Sequence, residues 1–265
     1  MRIVSLQEKE TPICKIEKQP FVCRYTYRRA RETQLENDIG QDYFSLSIEE
    51  DSIIFAVCDG VSLSFCGDVA ARFLGDRLLD WLQELPEERE QENIQNSLSS
   101  YLKHLTEEGT QVVDSHPLPA SVEGLLRDVL EEKRQHGSEA MYMCGRIDVR
   151  GDEVRVVLAY QGDSRIRMFG SEGEQTNLLG DTFHTAERWS SKQGCVGGSP
   201  AVFVQQWNGS GKINRIVVYS DGLALLDRSA SMPSEEELEH FIQQSQQAPT
   251  SDDLCLLDIA IEKGR

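Results

Sequence analysis

The chain has 265 residues and a formal net charge of −18, from 27 basic and 45 acidic side chains. That length gives one large domain or two small ones with a substantial core. The acidic balance argues against nucleic acid and against anionic membrane as partners, unless a local basic patch or bound metal reverses it.

In chain order, residues 1 to 20 mix charge with two prolines and read as a leader or one edge strand. A single domain is expected over residues 21 to 262. Strands are predicted at Phe21 to Tyr27, Asp42 to Ile48 and Ile53 to Cys58. From Asp68 to Leu85, the apolar positions Val69, Phe73, Leu74, Leu78, Trp81 and Leu82 fall on one helical face. Ile94, Leu98, Tyr101, Leu102 and Leu105 mark a second amphipathic helix, and Val122, Leu125, Leu126, Val129 and Leu130 a third. Thr106 to Ala120, with Gly109, Pro117 and Pro119, reads as a loop between them.

The period then changes to strands at Ala140 to Val149, Glu153 to Tyr160, Arg165 to Phe169, Ala201 to Trp207 and Ile213 to Tyr219. Turns at Arg150-Gly151-Asp152 and Asn208-Gly209-Ser210-Gly211 fit hairpins. A helix near Ser234 to Gln246, opened by a Ser234/Glu237 capping box, precedes a last strand from Leu254 to Ile261. Strands, then helices, then strands indicate an α+β layered domain with mainly antiparallel sheets.

Seven cysteines (14, 23, 58, 66, 144, 195, 255) are odd in number and form no CxxC pair. They read as reduced packing residues. No secretory leader and no bilayer-length apolar run is read, so a soluble cytoplasmic protein is expected. Arg24, Arg28, Arg29 and Arg31 form the one concentrated basic stretch, which is either a solvated edge or an arm that contacts an anion.

The chemistry lies in four places where aspartate adjoins an apolar run. These are Asp59-Gly60 after Ile53 to Cys58, Gly162-Asp163 after Val156 to Gln161, Asp221-Gly222 after Ile216 to Ser220, and Asp252-Asp253 before Leu254 to Leu257. Strands with continuous apolar character are buried on both faces, so carboxylates at their ends are held in place. Several held together repel one another unless cations bind. An oxygen-only donor set suits Mg²⁺ or Mn²⁺, and the five dispersed histidines give little basis for zinc.

With Gly40-Gln41-Asp42-Tyr43-Phe44, Phe55 to Ser62, Gly137-Ser138-Glu139-Ala140, Gly162-Asp163-Ser164-Arg165, Tyr219 to Leu223 and Asp252-Asp253-Leu254 in this order, the sequence resembles the metal-dependent, type 2C serine/threonine protein phosphatases. The resemblance runs from about Phe21 to Ile261. It implies a four-layer α-β-β-α sandwich, two antiparallel sheets packed face to face and flanked by helices, with metals in a cleft at one end.

It further implies that Asp59 bridges two ions, Mn²⁺ or Mg²⁺, that the Gly60 carbonyl contacts one, and that Asp221 and Asp252 complete the other shell, with Asp253 as the alternative to Asp252. Asp42 would orient water, and Asp163 with Asp221 would hold a third, weaker ion. Water activated between two cations supplies a nucleophile for in-line attack on phosphorus without a covalent phosphoenzyme. The implied substrate is a phosphorylated intracellular protein, with a cognate serine/threonine kinase as counterpart, and a monomer is expected. Ser138 reads as a packing residue and no nucleophile.

This chain departs from the family at three points. Gln41 stands where the family often has glutamate, and Val61 where well-known members have a histidine that protonates the leaving oxygen. Asn37 occupies the place of the phosphate-binding arginine, which leaves Arg31, Arg29 or Arg28 as candidates. Asp181 to Pro200 takes the place of the family's mobile flap. Two further readings stay open, a catalytically weak phosphoprotein-binding module and a phosphatase of a small phosphorylated metabolite.

Overall fold

The computed structural model describes residues 1–86, 90–118, 122–208 and 213–262. Two sheets, in each of which every paired neighbour is antiparallel, stack face to face. In the first, β1 (Arg2–Val4), β4 (Tyr43–Ile48), β5 (Ser52–Gly60) and β6 (Glu139–Arg150) follow in that order. The long β6 then pairs with both β7 (Glu153–Gln161) and β10 (Arg188–Ser190), which carry β12 (Ala201–Asn208) and β11 (Gly194–Val196). The second sheet runs β2 (Thr11–Lys18), β3 (Phe21–Arg28), β14 (Leu254–Ile261), β13 (Arg215–Tyr219), β8 (Arg165–Gly170) and β9 (Gly173–Glu174).

Strand alternation explains the layers. Phe55 and Val57 of β5, Val156 and Leu158 of β7, and Cys255, Leu257 and Ile259 of β14 point into a shared core between the sheets. The alternate residues Ile54, Ala56 and Cys58 face outward instead, onto α2 (Gly67–Gln83) and α3 (Gln91–Ser115). On the other side, Leu254, Leu256, Val217 and Tyr219 meet α5 (Glu235–Gln247) and the 3-10 segment Asp221–Arg228. Central strands are therefore apolar on both faces, which is why they read as continuous runs. The α+β four-layer arrangement is the observed fold.

Four local expectations change. Residues 1 to 20 supply two strands, one to an edge of each sheet, where a leader or a single edge strand was expected. The polar, half-exposed pattern of an edge strand hides this in the sequence. The segment expected to be a loop from Thr106 is helical to Ser115, and its Gly109 lies inside α3. There a Cβ would approach the Trp189 ring to 2.7 Å, so the glycine marks close packing, not a break.

Third, α4 (Gly124–His136) forms as the periodicity predicts but buries none of its residues, and Leu125 is 79 % exposed. Fourth, the stretch from Asp181 to Pro200 includes the β10–β11 hairpin, pinned by a fully buried Trp189 whose indole N–H donates to Leu102 O at 3.0 Å. Pro119 and Ala120 of the expected loop, and Gly209 to Gly211 of the expected turn, lie outside the described residues. The Ser234/Glu237 capping box is present at the start of α5. Among the described residues no helix is long and apolar enough to cross a membrane.

Candidate metal centre

The register of the sheets brings the sequence-distant acids to one rim. Tyr43 pairs with Cys58, so Asp42, just before β4, lies next to Asp59 in β5. Tyr219 pairs with Leu256, so Asp221 beyond the end of β13 neighbours Asp252 and Asp253 before β14. Gln161 pairs with Tyr142 on β6, which places Asp163 two residues past the end of β7.

Asp59, Asp163 and Asp221 each offer a carboxylate oxygen, and these oxygens lie within 4.8 Å of one another. Asp252 lies outside that trio and is exposed, yet its charge acts on Asp59, Asp163 and Asp221 alike.

Two glycines make the close approach possible. At Gly60, a Cβ would come within 2.5 Å of the Gly67 backbone where α2 begins. At Gly222 it would come within 2.1 Å of the Asp253 carbonyl. Any side chain at either place would push the acid-bearing segments apart.

The electrostatics are those of carboxylates crowded without sufficient counter-charge. Burial, then the charges of Asp221, Asp252, Asp163 and Asp253, push the Asp59 carboxyl well above the usual carboxylate range. Burial, then Asp252 and Asp163, raise Asp221 to about 6, with Arg165 and the Gly222 amide opposing. Asp42 is 2 % exposed. Burial first and Asp59 second raise its carboxyl far above normal, and a hydrogen bond from Ser220 resists. Burial also lifts Asp163, against Arg165.

A divalent cation fits this donor set. Asp42 Oδ2 and Asp163 Oδ1 are buried without a hydrogen-bond partner, a costly state that a hard cation or its water shell relieves. The cluster is made of carboxylates alone, the chemistry of Mg²⁺ and Mn²⁺ sites. Asp253 is committed elsewhere. Its carboxylate accepts from Ala30 N at 2.6 Å and from Gln41 N, tying the start of α1 (Arg31–Glu36) to the strand that carries Asp42.

Of the basic arm, Arg29 is held by Glu10 at 2.8 Å and by the Asp38 carbonyl, and Arg28 lies 3.6 Å from Glu239. Arg31 is exposed and forms no ion pair among the described residues; its amide donates to Ser251 Oγ at 3.0 Å, beside Asp252. The Val61 amide donates to Glu139 O at 3.0 Å, and its apolar side chain offers no proton at the place after Asp-Gly. His184 is half-buried and meets Gly162 through its backbone amide at 2.8 Å. Ser138 donates from Oγ to Cys66 O at 2.8 Å inside the core, which is a packing role.

Two contributors lacked a role in the sequence reading. Ser220 supports Asp42 and accepts from Cys255 N at 2.9 Å; its signal was its place in Tyr219-Ser220-Asp221. Arg165, which packs over the Phe183 ring at 4.3 Å and pairs with Asp227 at 3.2 Å, is the cation that steadies Asp163 and Asp221. Nothing local in the sequence distinguishes it from a surface arginine.

The fold and the acid cluster together define a protein serine/threonine phosphatase. A sequence profile of the family described as Protein phosphatase 2C matches residues 31–258, and the chain belongs to that family. Its structure is similar to the serine/threonine phosphatase Stp1 from Staphylococcus aureus, at 15 % identity and a TM-score of 0.60, covering 96 % of this chain and 99 % of that one. A bacterial serine phosphatase is similar at 15 % identity and a TM-score of 0.57, over 92 % and 98 % of the two chains. RsbX in complex with magnesium is similar at 12 % identity and a TM-score of 0.55, over 94 % and 100 %. No curated protein sequence matches the chain.

Proposed function

We propose that this chain hydrolyses phosphoserine and phosphothreonine on cytoplasmic proteins, opposite a serine/threonine kinase and as a monomer, using two Mn²⁺ or Mg²⁺ ions. The observation that carries the reading is the meeting of Asp59, Asp163 and Asp221 at one rim of the sheets. Asp59, Asp221, Asp252 and the Gly60 carbonyl would hold the two ions, and Asp163 with Asp221 a third. Bound ions would lower the pKa of water and offset charge on the phosphoryl oxygens.

The remaining work falls to the chain itself. Asp42, whose Oδ2 is unpartnered, accepts a hydrogen bond from the attacking water and orients it. Arg31, exposed beside the loop that carries Asp252, binds the phosphate. Val61 supplies no proton, so the leaving oxygen takes its proton from solvent at the open rim.

The test is turnover of a phosphothreonine peptide with and without added Mn²⁺ or Mg²⁺. Activity that requires the metal and vanishes in Asp59→Asn and Asp221→Asn is expected. Turnover that persists without metal in both variants rejects the mechanism.

A further inference from the structure

A cavity of about 480 Å³ opens between the 3-10 segment Asp221–Arg228 and the C-terminal end of α5. Asp221 and Asp252 form part of its wall, so it is continuous with the acid cluster. Leu225, Ser245 and Thr250 contribute to the rest, and Arg228 is the cation in the lining. Its neighbour Asp227 is engaged elsewhere, accepting from the Tyr219 hydroxyl at 2.8 Å and from Arg165 Nε at 3.2 Å. Arg228 itself is exposed and forms no ion pair among the described residues.

A phosphopeptide approaching a chain of net charge −18 is repelled over most of the surface. An additional acidic residue beside the phosphate worsens that repulsion unless a local cation meets it. An arginine is suited to this task, because its guanidinium accepts a carboxylate or a second phosphate in a two-point hydrogen bond. The cavity is larger than a single side chain and adjoins Asp221 and Asp252 of the acid cluster.

We propose that this cavity receives an acidic residue flanking the phosphoserine or phosphothreonine of the substrate, with Arg228 as the residue that determines that specificity; the proposal rests on the phosphatase reading above. Arg228 acts on binding of the flanking residue and takes no part in bond breaking. Its effect therefore falls on KM and not on kcat.

The experiment compares phosphothreonine peptides identical but for Glu, Gln or Lys next to the phosphothreonine, using Mn²⁺-loaded wild type, Arg228→Ala and Arg228→Glu. Wild type is expected to favour the Glu peptide over the Lys peptide by roughly tenfold in kcat/KM, carried by KM. Arg228→Ala brings the ratio near one, and Arg228→Glu inverts it. Fluorescence anisotropy with the same peptides bearing a hydrolysis-resistant phosphonate should give the same order, independently of turnover.

If all the peptides are hydrolysed but wild type and Arg228→Glu show the same ratio, the cavity proposal is overturned and the phosphatase reading stands. A fall in thermal stability with an unchanged ratio assigns Arg228 a structural role and likewise rejects it. If no phosphopeptide is hydrolysed by the Mn²⁺-loaded wild type, the phosphatase reading fails and takes this proposal with it.

Discussion

In the middle of β14, Asp258 is 2 % exposed and accepts hydrogen bonds from Arg215 at 2.6 and 2.7 Å and from Arg24 at 2.7 Å. At the rim of the same sheets, Asp59, Asp163 and Asp221 lie within 4.8 Å of one another, with Asp42, Asp252 and Asp253 as further acids around them. Arg165 opposes the charge on Asp163 and Asp221, but no cation is among the largest influences on Asp59. The same residue type is thus held in two ways. Around Asp258 the chain supplies the positive charge, and the acid serves the fold. Around Asp59 the positive charge must come from outside, and the fold serves the acids.

The largest expected effect breaks the symmetry between stability and activity. Asp59→Asn and Asp221→Asn each remove a repelling charge, so the metal-free protein should melt at a higher temperature than wild type. The same changes remove a candidate ligand, so turnover should fall by about a thousandfold or more, and Mn²⁺ should no longer raise the melting temperature. Calorimetric scans with and without Mn²⁺ check this. A variant less stable than wild type without metal would show that the cluster is not strained by its own charge.

Asp258→Asn is the converse case. It leaves two arginines without their carboxylate, Arg24 with a side chain 11 % exposed and Arg215 with one 30 % exposed. Breaking such a buried pair costs on the order of 3–5 kcal/mol, while the Mn²⁺-induced shift in melting temperature should remain. Urea titration measures the first quantity, and thermal scans with and without Mn²⁺ measure the second. Loss of the Mn²⁺ response in this variant would mean that the two acid groups are not independent.

The crowding at the rim also predicts a pH dependence of stability. Asp221 is raised to about 6 in the folded chain, and burial with neighbouring acids raises Asp59 and Asp42 as well. An unfolded aspartate titrates near 3.9. The folded state therefore binds more protons, so the metal-free protein gains stability as pH falls from about 8 through 6 and loses it as pH rises. Over its full titration, from about pH 8 to below 4, the Asp221 shift alone is worth on the order of 3 kcal/mol. Saturating Mn²⁺ should flatten it, because bound cations keep the carboxylates ionised. Melting temperatures between pH 5.5 and 8 that are flat without metal would contradict the assignment.

How far this division was legible in the sequence differs between the two groups. The cluster could be read because Asp59, Asp163 and Asp221 each follow an apolar strand, and a charged residue at such a boundary is conspicuous. Asp258, in the middle of Leu254 to Ile261, breaks an apolar run, and its partners Arg24 and Arg215 lie on β3 and β13. Only the register reveals that they meet. The central strands were legible because both their faces are buried. β1 and β2 were not, because edge strands carry the half-polar pattern of loops. Gly109 misled for a different reason, since a helix former is excluded there by the Trp189 ring, eighty residues away in the chain. The cavity at Arg228 was invisible for the same reason as Asp258, because its walls come from segments that the fold alone brings together.

The smallest effect concerns a third kind of acid, one exposed and held by a backbone amide and a hydroxyl. Glu237 accepts from Ser234 N at 2.9 Å, while Ser234 Oγ accepts from Glu237 N at 3.3 Å, closing the box at the start of α5. The bond from the backbone lowers the Glu237 carboxyl, the reverse of the shift at the rim. Ser234→Ala removes one acceptor at an exposed helix end and should cost about 1 kcal/mol, with the Mn²⁺ response and turnover unchanged. Leu238 and Ile242 keep α5 on the sheet, so the helix itself should persist. If this variant loses turnover in proportion to its stability, the cavity wall at the far end of α5 moves with its N-terminus. The rim acids and the helix could then no longer be treated as separate parts of the molecule.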